Sequence, residues 1–205
     1  MANNSNLTVK GVNMPKTKLG LHKMNMLLDA AEKLFTEKSF FETSISDICK
    51  QANTAVGTFY IYFDSKTDLY RYLIEKYKRR IKRILAESIE SCTTRYEKER
   101  EGIKSFVKYA VTHPSIYNII WGSLAVDKQI FEDYYVSFAR SYARAISESA
   151  DEMLVEDANT LAYMLMGITN FVGLKAIFEN LNEDQIDGVI EDAVMPILNR
   201  GLFKQ

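Results

Sequence analysis

The chain has very few places to break a helix, with 9 Gly and 3 Pro spread through 205 residues. Glycine and proline are the strongest local punctuators of regular structure, so their scarcity predicts long, uninterrupted helices. Hydrophobic periodicity agrees. Leu27, Ala30, Ala31, Leu34 and Phe35 recur at helical spacing on one face of a segment over 21–38. Further helical patterns fall near 45–51, 56–62, 66–91, 97–112, 115–122, 127–152, 157–179 and 183–203. No segment alternates convincingly with period two, so the expected fold is all-α, with about nine helices in all.

Start signals support several of these boundaries. Ser44 with Asp47, and Ser65 with Asp68, fit the capping box, in which a hydroxyl and a carboxylate satisfy amides of the first turn. Asn182 with Gln185 is a weaker version of the same device. Pro114 suits a helix N-terminus, where its missing amide costs nothing. Pro196 falls inside the last helix and is expected to kink it.

Composition excludes some classes. At 47% hydrophobic and 26% charged residues, the chain is ordinary globular material. No uninterrupted apolar stretch approaches the roughly 18 residues of a membrane span. The first twenty residues lack the apolar block of a signal peptide. Cys49 and Cys92 are isolated, so neither a disulfide framework nor a metal site is implied, and no cofactor is indicated. A cytoplasmic protein without membrane contact is expected. The formal net charge of −1 hides an asymmetry. Residues 1–83 hold 15 Lys and Arg against 8 Asp and Glu, whereas the remainder holds 11 against 19. A basic N-terminal part on an acidic remainder suits a nucleic-acid-binding module joined to a domain of another purpose. The alternative is that the cations merely solvate helix faces.

The stretch 43–69, TSISDICKQANTAVGTFYIYFDSKTDL, separates these readings. It predicts a short helix with Ile45, Ile48 and Cys49 inward, a turn at 52–54, and a second short helix with Val56, Phe59 and Phe63 inward. That is a helix-turn-helix, in which the second helix is held rigidly so that its outer face enters the major groove. Ala52 is small enough to let the helices approach, and Asn53 tolerates the positive φ such a turn needs. Gly57 has no packing reason inside a helix, where it costs about 1 kcal/mol against Ala, and close approach of backbone to DNA would explain it. Tyr60 and Tyr62 can reach phosphates from the groove edge. Lys66, in the first turn of the next helix, is the expected phosphate clamp.

The run AAEKLF at 30–35, followed by TSISDI, GTFYIYF and Lys66 with Leu69, resembles the DNA-binding domain of the TetR family over about residues 22–70. The resemblance implies DNA binding as a homodimer on a palindromic operator, usually released by a small molecule in the C-terminal domain. It implies phosphate contacts from Thr43 and Ser44 and base contacts from Thr54, Ala55, Val56, Gly57 and Thr58. Tyr60, Tyr62 and Lys66 match the family's backbone contacts. Ser39 stands where the family commonly has a glycine, which predicts a strained or shifted turn. Ala55 and Val56 replace more polar residues, so apolar contact with thymine methyls gains weight and the operator sequence cannot be deduced. The expected organisation is a flexible tail over 1–18, a helix-turn-helix domain over 19–66, and a ligand-binding and dimerisation domain over 67–205.

In that last domain, Phe131, Tyr134, Tyr135, Phe138 and Tyr142 form an aromatic stripe. Such a stripe is commonly plain core, but the resemblance places a ligand cavity among these central helices. The candidate lining is Phe106, Tyr109, Tyr117, Trp121, Tyr134, Tyr135, Phe138, Met164 and Phe171, suited to an apolar aromatic or acyl effector. Buried tyrosine hydroxyls want partners, which gives the cavity polar points. Leu161, Leu165, Ile168 and Val172 form one later stripe; Ile186, Val189, Ile190, Val194 and Ile197 form another. Two such helices per subunit make a four-helix dimer bundle, with Gly167 and Gly173 allowing close crossing. The alternative is that both stripes pack inside one subunit.

The function expected is a sequence-specific transcriptional regulator, a repressor controlled by a small ligand. The alternatives are a regulator answering to a protein partner or to no ligand, and, from another class, an enzyme. His22 and His113 give an enzyme little support, since His113 suits a helix end. No Ser/His/Asp order, glycine-rich phosphate loop or HExxH pattern appears.

Overall fold

The computed structural model describes residues 9–204. The expected tail at 1–18 falls partly outside these residues; its later part is discussed below. Nine helices follow one another among the described residues. They are α1 (Lys18–Glu42), α2 (Ile45–Gln51), α3 (Val56–Tyr62), α4 (Lys66–Ser88), α5 (Arg95–Thr112), α6 (Ser115–Val126), α7 (Lys128–Ser147), α8 (Ala158–Phe178) and α9 over 183–202. A single 3-10 turn, Ala150–Glu152, separates α7 from α8. The only extended pairings among the described residues are two isolated bridges, Val12 with Phe63 and Met153 with Phe203.

Caps fix the helix starts. Ser44 and Asp47 exchange hydrogen bonds at α2, and Asn182 and Gln185 do so at α9. Ser65 accepts from the Asp68 amide at 3.1 Å. Thr94 and Glu97 form a further box at α5, and amides of Thr94 and Thr93 hold the Glu97 carboxyl down at about 2. Inside α9 the chain widens into a π-turn at Ile190–Val194, just before Pro196. That widening accommodates a residue which cannot donate to the ladder and whose ring crowds the preceding turn.

Two non-glycine positions in the N-terminal region adopt positive φ, as the residues there predict. Asn53 lies at φ 50 in the turn between α2 and α3. Ser39, at φ 80 and ψ 163, interrupts α1 before its last residues. The Thr43 hydroxyl then donates to the Ser39 carbonyl at 2.7 Å and steadies that exit.

The chain divides into two compact units. The first runs through Lys78 and includes Ser115–Glu132; the second comprises Arg79–Pro114 and the chain from Asp133 onward. This division differs from a boundary at residue 66, because α6 packs against α1. In the first unit Met24, Leu27, Leu28, Ile48, Phe59, Phe63 and Leu73 are fully buried. The Tyr70 hydroxyl donates to the Ile119 carbonyl at 2.5 Å, tying α4 to α6 within that unit. In the second unit the core is built from α5, α7, α8 and α9, around Ile103, Val107, Leu161, Leu165, Ile190 and Leu198.

Among the described residues one helix, α8, is long and apolar enough by length and composition to cross a membrane, although polar residues interrupt its apolar run in the sequence. Leu161, Ala162, Leu165, Gly173 and Ala176 face the core of their own unit, while other apolar residues of the helix lie on its surface.

Candidate nucleic-acid interface and cavity

Helix α3 presents a mixed outer face. Ala55, Val56, Gly57, Tyr60 and Ile61 are exposed, and Thr58 is half-buried. Phe59, Tyr62 and Phe63 anchor it from below. Val56, expected inward, lies outward, because Phe59, Tyr62 and Phe63 at i, i+3 and i+4 already fill the buried face. Its outward position leaves an isopropyl group on the face where apolar contact with thymine methyls is expected. Gly57 meets nothing in its own chain: a Cβ built there has no heavy atom within 4 Å. Packing therefore gives no reason for a glycine at this point.

Four of the expected phosphate or base contacts are placed differently. Thr43 is 1% exposed and spends its hydroxyl on the Ser39 and Leu34 carbonyls. The exposed hydroxyls at the start of α2 are instead those of Ser44 and Ser46. Tyr62 is buried, its hydroxyl close to Gly20 of α1. The Thr54 hydroxyl is buried beside the Cys49 thiol, whose ionisation burial disfavours. Lys66 is the largest departure. Its ammonium donates to the Phe40 carbonyl at 2.7 Å and the Thr43 carbonyl at 2.6 Å, and lies 4.1 Å from the centre of the Phe40 ring. Burial lowers its pKa. Lys66 thus staples the start of α4 to the carbonyl-rich end of α1, where free acceptors remain.

The N-terminal segment reaches this site as well. The Asn13 amide donates to the Tyr62 carbonyl at 2.8 Å and the Asp64 amide to the Gly11 carbonyl at 3.0 Å. Residues 9–13 are therefore docked beside the exit of α3, in contrast to the free tail expected over 1–18; residues 1–8 lie outside the described residues.

The second unit holds a cavity of about 390 Å³. Its walls come from Ile81 and Leu85 of α4, Ile89 just beyond it, Ile103 and Phe106 of α5, Tyr134, Tyr135 and Phe138 of α7, and Met166 of α8. Phe106, Tyr134, Tyr135 and Phe138 were expected there from the sequence. The Tyr134 ring packs 4.9 Å from Phe138 and 5.1 Å from Tyr135. Burial pushes the Tyr135 hydroxyl up to about 12, so it stays protonated. The other five expected residues do not line it. Tyr117 and Trp121 belong to the first unit, Tyr109 packs against His113 at the end of α5, and Met164 and Phe171 face outward from α8.

The cavity has a polar wall that the aromatic stripe did not disclose. Arg95 and Glu99, one turn apart on α5, form a buried ion pair, and the Tyr142 hydroxyl donates to the other Glu99 oxygen. Burial, reinforced by the Glu99 charge, holds the Tyr142 pKa well above its ordinary value. Lys82 donates to Ser141 at 2.9 Å. Lys98 lines the cavity half-buried and makes no ion pair among the described residues. The sequence signal was present in the i, i+4 spacing of Arg95 and Glu99, but nothing in it tells a buried pair from a surface one.

The stripes expected at a dimer interface lie mostly inside the second unit. Leu161, Leu165, Ile186, Ile190 and Val194 are buried in its core, with Ile168 and Val172 packed against it. Val189 is half-buried. Ile197 alone of that set is well exposed, at 70%. The exposed apolar residues of α8 are instead Tyr163, Met164, Phe171 and Phe178. Gly167 lies between Met164 and Phe171 on that face, with open space where a Cβ would stand.

Comparison with known proteins agrees with this geometry. The family model described as bacterial regulatory proteins, tetR family, matches residues 27–73. The HTH-type transcriptional regulator YvdT of Bacillus subtilis, itself uncharacterized, is 29% identical over 147 residues, covering 65% of this chain and 71% of that protein. A TetR-like transcriptional regulator from Rhodococcus sp. RHA1 superposes with a TM-score of 0.70 at 19% identity, over 92% of this chain and 98% of that one. The regulator FadR from Bacillus subtilis, solved in complex with stearoyl-CoA, superposes with a TM-score of 0.69 at 20% identity, over 85% and 96% of the two chains.

Proposed function

The chain belongs to the TetR family of bacterial transcriptional regulators, and from that premise we propose a homodimeric cytoplasmic repressor released from a palindromic operator by an amphipathic acyl or aromatic compound. The observation that supports ligand control most directly is the cavity of about 390 Å³, walled by aromatic and aliphatic side chains with a few polar groups. Small-molecule sites have this size and this character. The same observation favours a ligand over a protein partner as the controlling signal.

In this reading Ala55, Val56, Gly57 and Thr58 meet base edges, while Ser44 and Tyr60 meet phosphates. The effector's apolar body lies against Phe106, Tyr134 and Phe138. The Arg95–Glu99 pair is already neutralised, so Lys98 is the cation available to an acidic head group. FadR's complex with stearoyl-CoA is a precedent for an acyl ligand on this fold. The dimer forms through the outer face of α8, with Gly167 allowing close approach of Met164 and Phe171 to a second copy, and through Ile197 of α9. A second recognition helix is needed because a single one buries too little surface for operator affinity.

Selection of the protein against a random duplex library, with and without fatty acyl compounds, tests the proposal. Enrichment of a palindrome, lost when the acyl compound is added, is the expected result. Enrichment that no acyl or aromatic compound alters would remove ligand control and leave a protein partner as the signal.

A further inference from the structure

The docked segment before α1 is a built feature of the first unit. The Val12 amide donates to the Val9 carbonyl at 3.2 Å, closing a four-residue turn with Lys10 and Gly11 at its centre. Gly11 has φ +72, the value that a type II turn requires of its third residue. A second constraint falls on the same glycine. A Cβ there would stand 2.4 Å from the Asp68 carboxyl carbon, and that carboxylate is itself held by Ser65 and Arg71. Three pairings then fix the turn against the three residues that leave α3: Asn13 on Tyr62, Val12 on Phe63 and Gly11 on Asp64.

This antiparallel register carries Lys10 past Asp64, toward the start of α4. Lys10 is exposed and makes no ion pair among the described residues. Lys16 and Lys18 follow on the way into α1, both exposed, and residues 9–28 contain no Asp or Glu. The site beside the recognition helix where a cation is needed is thus supplied by a turn, since the Lys66 ammonium is committed to the Phe40 and Thr43 carbonyls.

We propose that Lys10, displayed at the corner of the docked Val9–Val12 turn, is a DNA phosphate contact flanking α3 and takes the part expected of Lys66. This inference rests on the regulator reading above. Cations beside a major-groove helix meet the strand backbone at the groove edge, and such contacts set register and affinity without reading sequence. Gly11 is the positioning residue.

The test is the salt dependence of binding to a labelled duplex of about three helical turns, by anisotropy, for wild type, Lys10→Ala and, as a control on the exposed face of α7 in the other unit, Arg140→Ala. Each phosphate contact contributes about 0.9 to the slope of log affinity against log salt, so Lys10→Ala is expected to lower that slope by about 1.8 per dimer. Affinity at low salt should fall several-fold, by a similar factor on selected and unrelated duplexes, with Arg140→Ala unchanged. Lys10→Ala with the wild-type slope and affinity would overturn the inference and leave the turn as a lid over Phe63. A wild-type protein that binds no duplex would overturn the regulator reading itself, and the contact with it. Circular dichroism of Lys10→Ala separates loss of a contact from loss of fold.

Discussion

Replacing Ser39 by glycine should stabilise the protein. Ser39 sits at φ 80 and ψ 163, a region that only glycine enters without steric cost, and its side chain is exposed with no hydrogen bond among the described residues. Holding a residue with a Cβ there costs on the order of 1–3 kcal/mol. Glycine returns roughly 0.5–1 kcal/mol of that through its greater freedom in the unfolded chain. The net gain is therefore about 0.5–2 kcal/mol, with the Ser39 carbonyl still available to the Thr43 hydroxyl. In a chain of this size about 1 kcal/mol moves Tm by roughly 2–4 °C. Urea unfolding at constant m-value is the assay, with Ser39→Ala as the control. Alanine keeps the Cβ and so keeps the strain, and its stability should stay near wild type. A Ser39→Gly protein less stable than wild type would refute the strain argument, as would a gain shared equally by Ser39→Ala.

Other outcomes follow from the same geometry. Gly57→Ala should raise thermal stability by up to about 1 kcal/mol, since its methyl meets only open space, yet weaken operator binding; gel-shift titration and thermal unfolding on one preparation check both signs. Lys66→Met should lower stability by about 2–4 kcal/mol in denaturant titration, because two carbonyls lose a charged donor. Glu97 is held at about 2 in the folded state, below its ordinary value of 4.5, so its contribution is present above the unfolded value and lost as pH falls from about 5 toward 2. Glu97→Gln should flatten that acid limb of the stability curve, measured by urea unfolding across the same range. Glu99→Ala leaves the buried Arg95 without a partner and should cost about 3–5 kcal/mol; a change below about 1 kcal/mol would show that water reaches the pair.

How far the sequence could be read follows from what each signal encodes. Capping boxes at Ser44 and Asn182 are local chemistry, and both appear, while at Ser65 the hydroxyl caps the Asp68 amide. The positive φ values at Ser39 and Asn53 were legible for the same reason, being properties of single turns. Periodicity located the buried face of α8 through Leu161 and Leu165, but it could not say whether the burial was against the same chain or a second copy. Since α8 is apolar nearly all round, the opposite face with Met164 and Phe171 was masked by its own composition. Lys66 and Thr43 were misplaced because side-chain direction at a helix junction depends on which carbonyls lie within reach. The cavity's aromatic half was visible as a stripe. Its polar half needed three residues from two distant helices, Arg95, Glu99 and Tyr142, to meet. The docking of residues 9–13 had only Gly11 as a signal.

The most direct measurement is anisotropy of the selected operator, titrated with protein and then with a fatty acid and its matched alcohol, such as dodecanoate and dodecanol. Saturation at two protomers per palindrome is expected, then release by the acid at lower concentration than by the alcohol, with the preference reduced in Lys98→Ala. Saturation at one protomer would contradict the dimeric regulator. An operator complex that no acyl or aromatic compound dissociates would contradict control through the cavity.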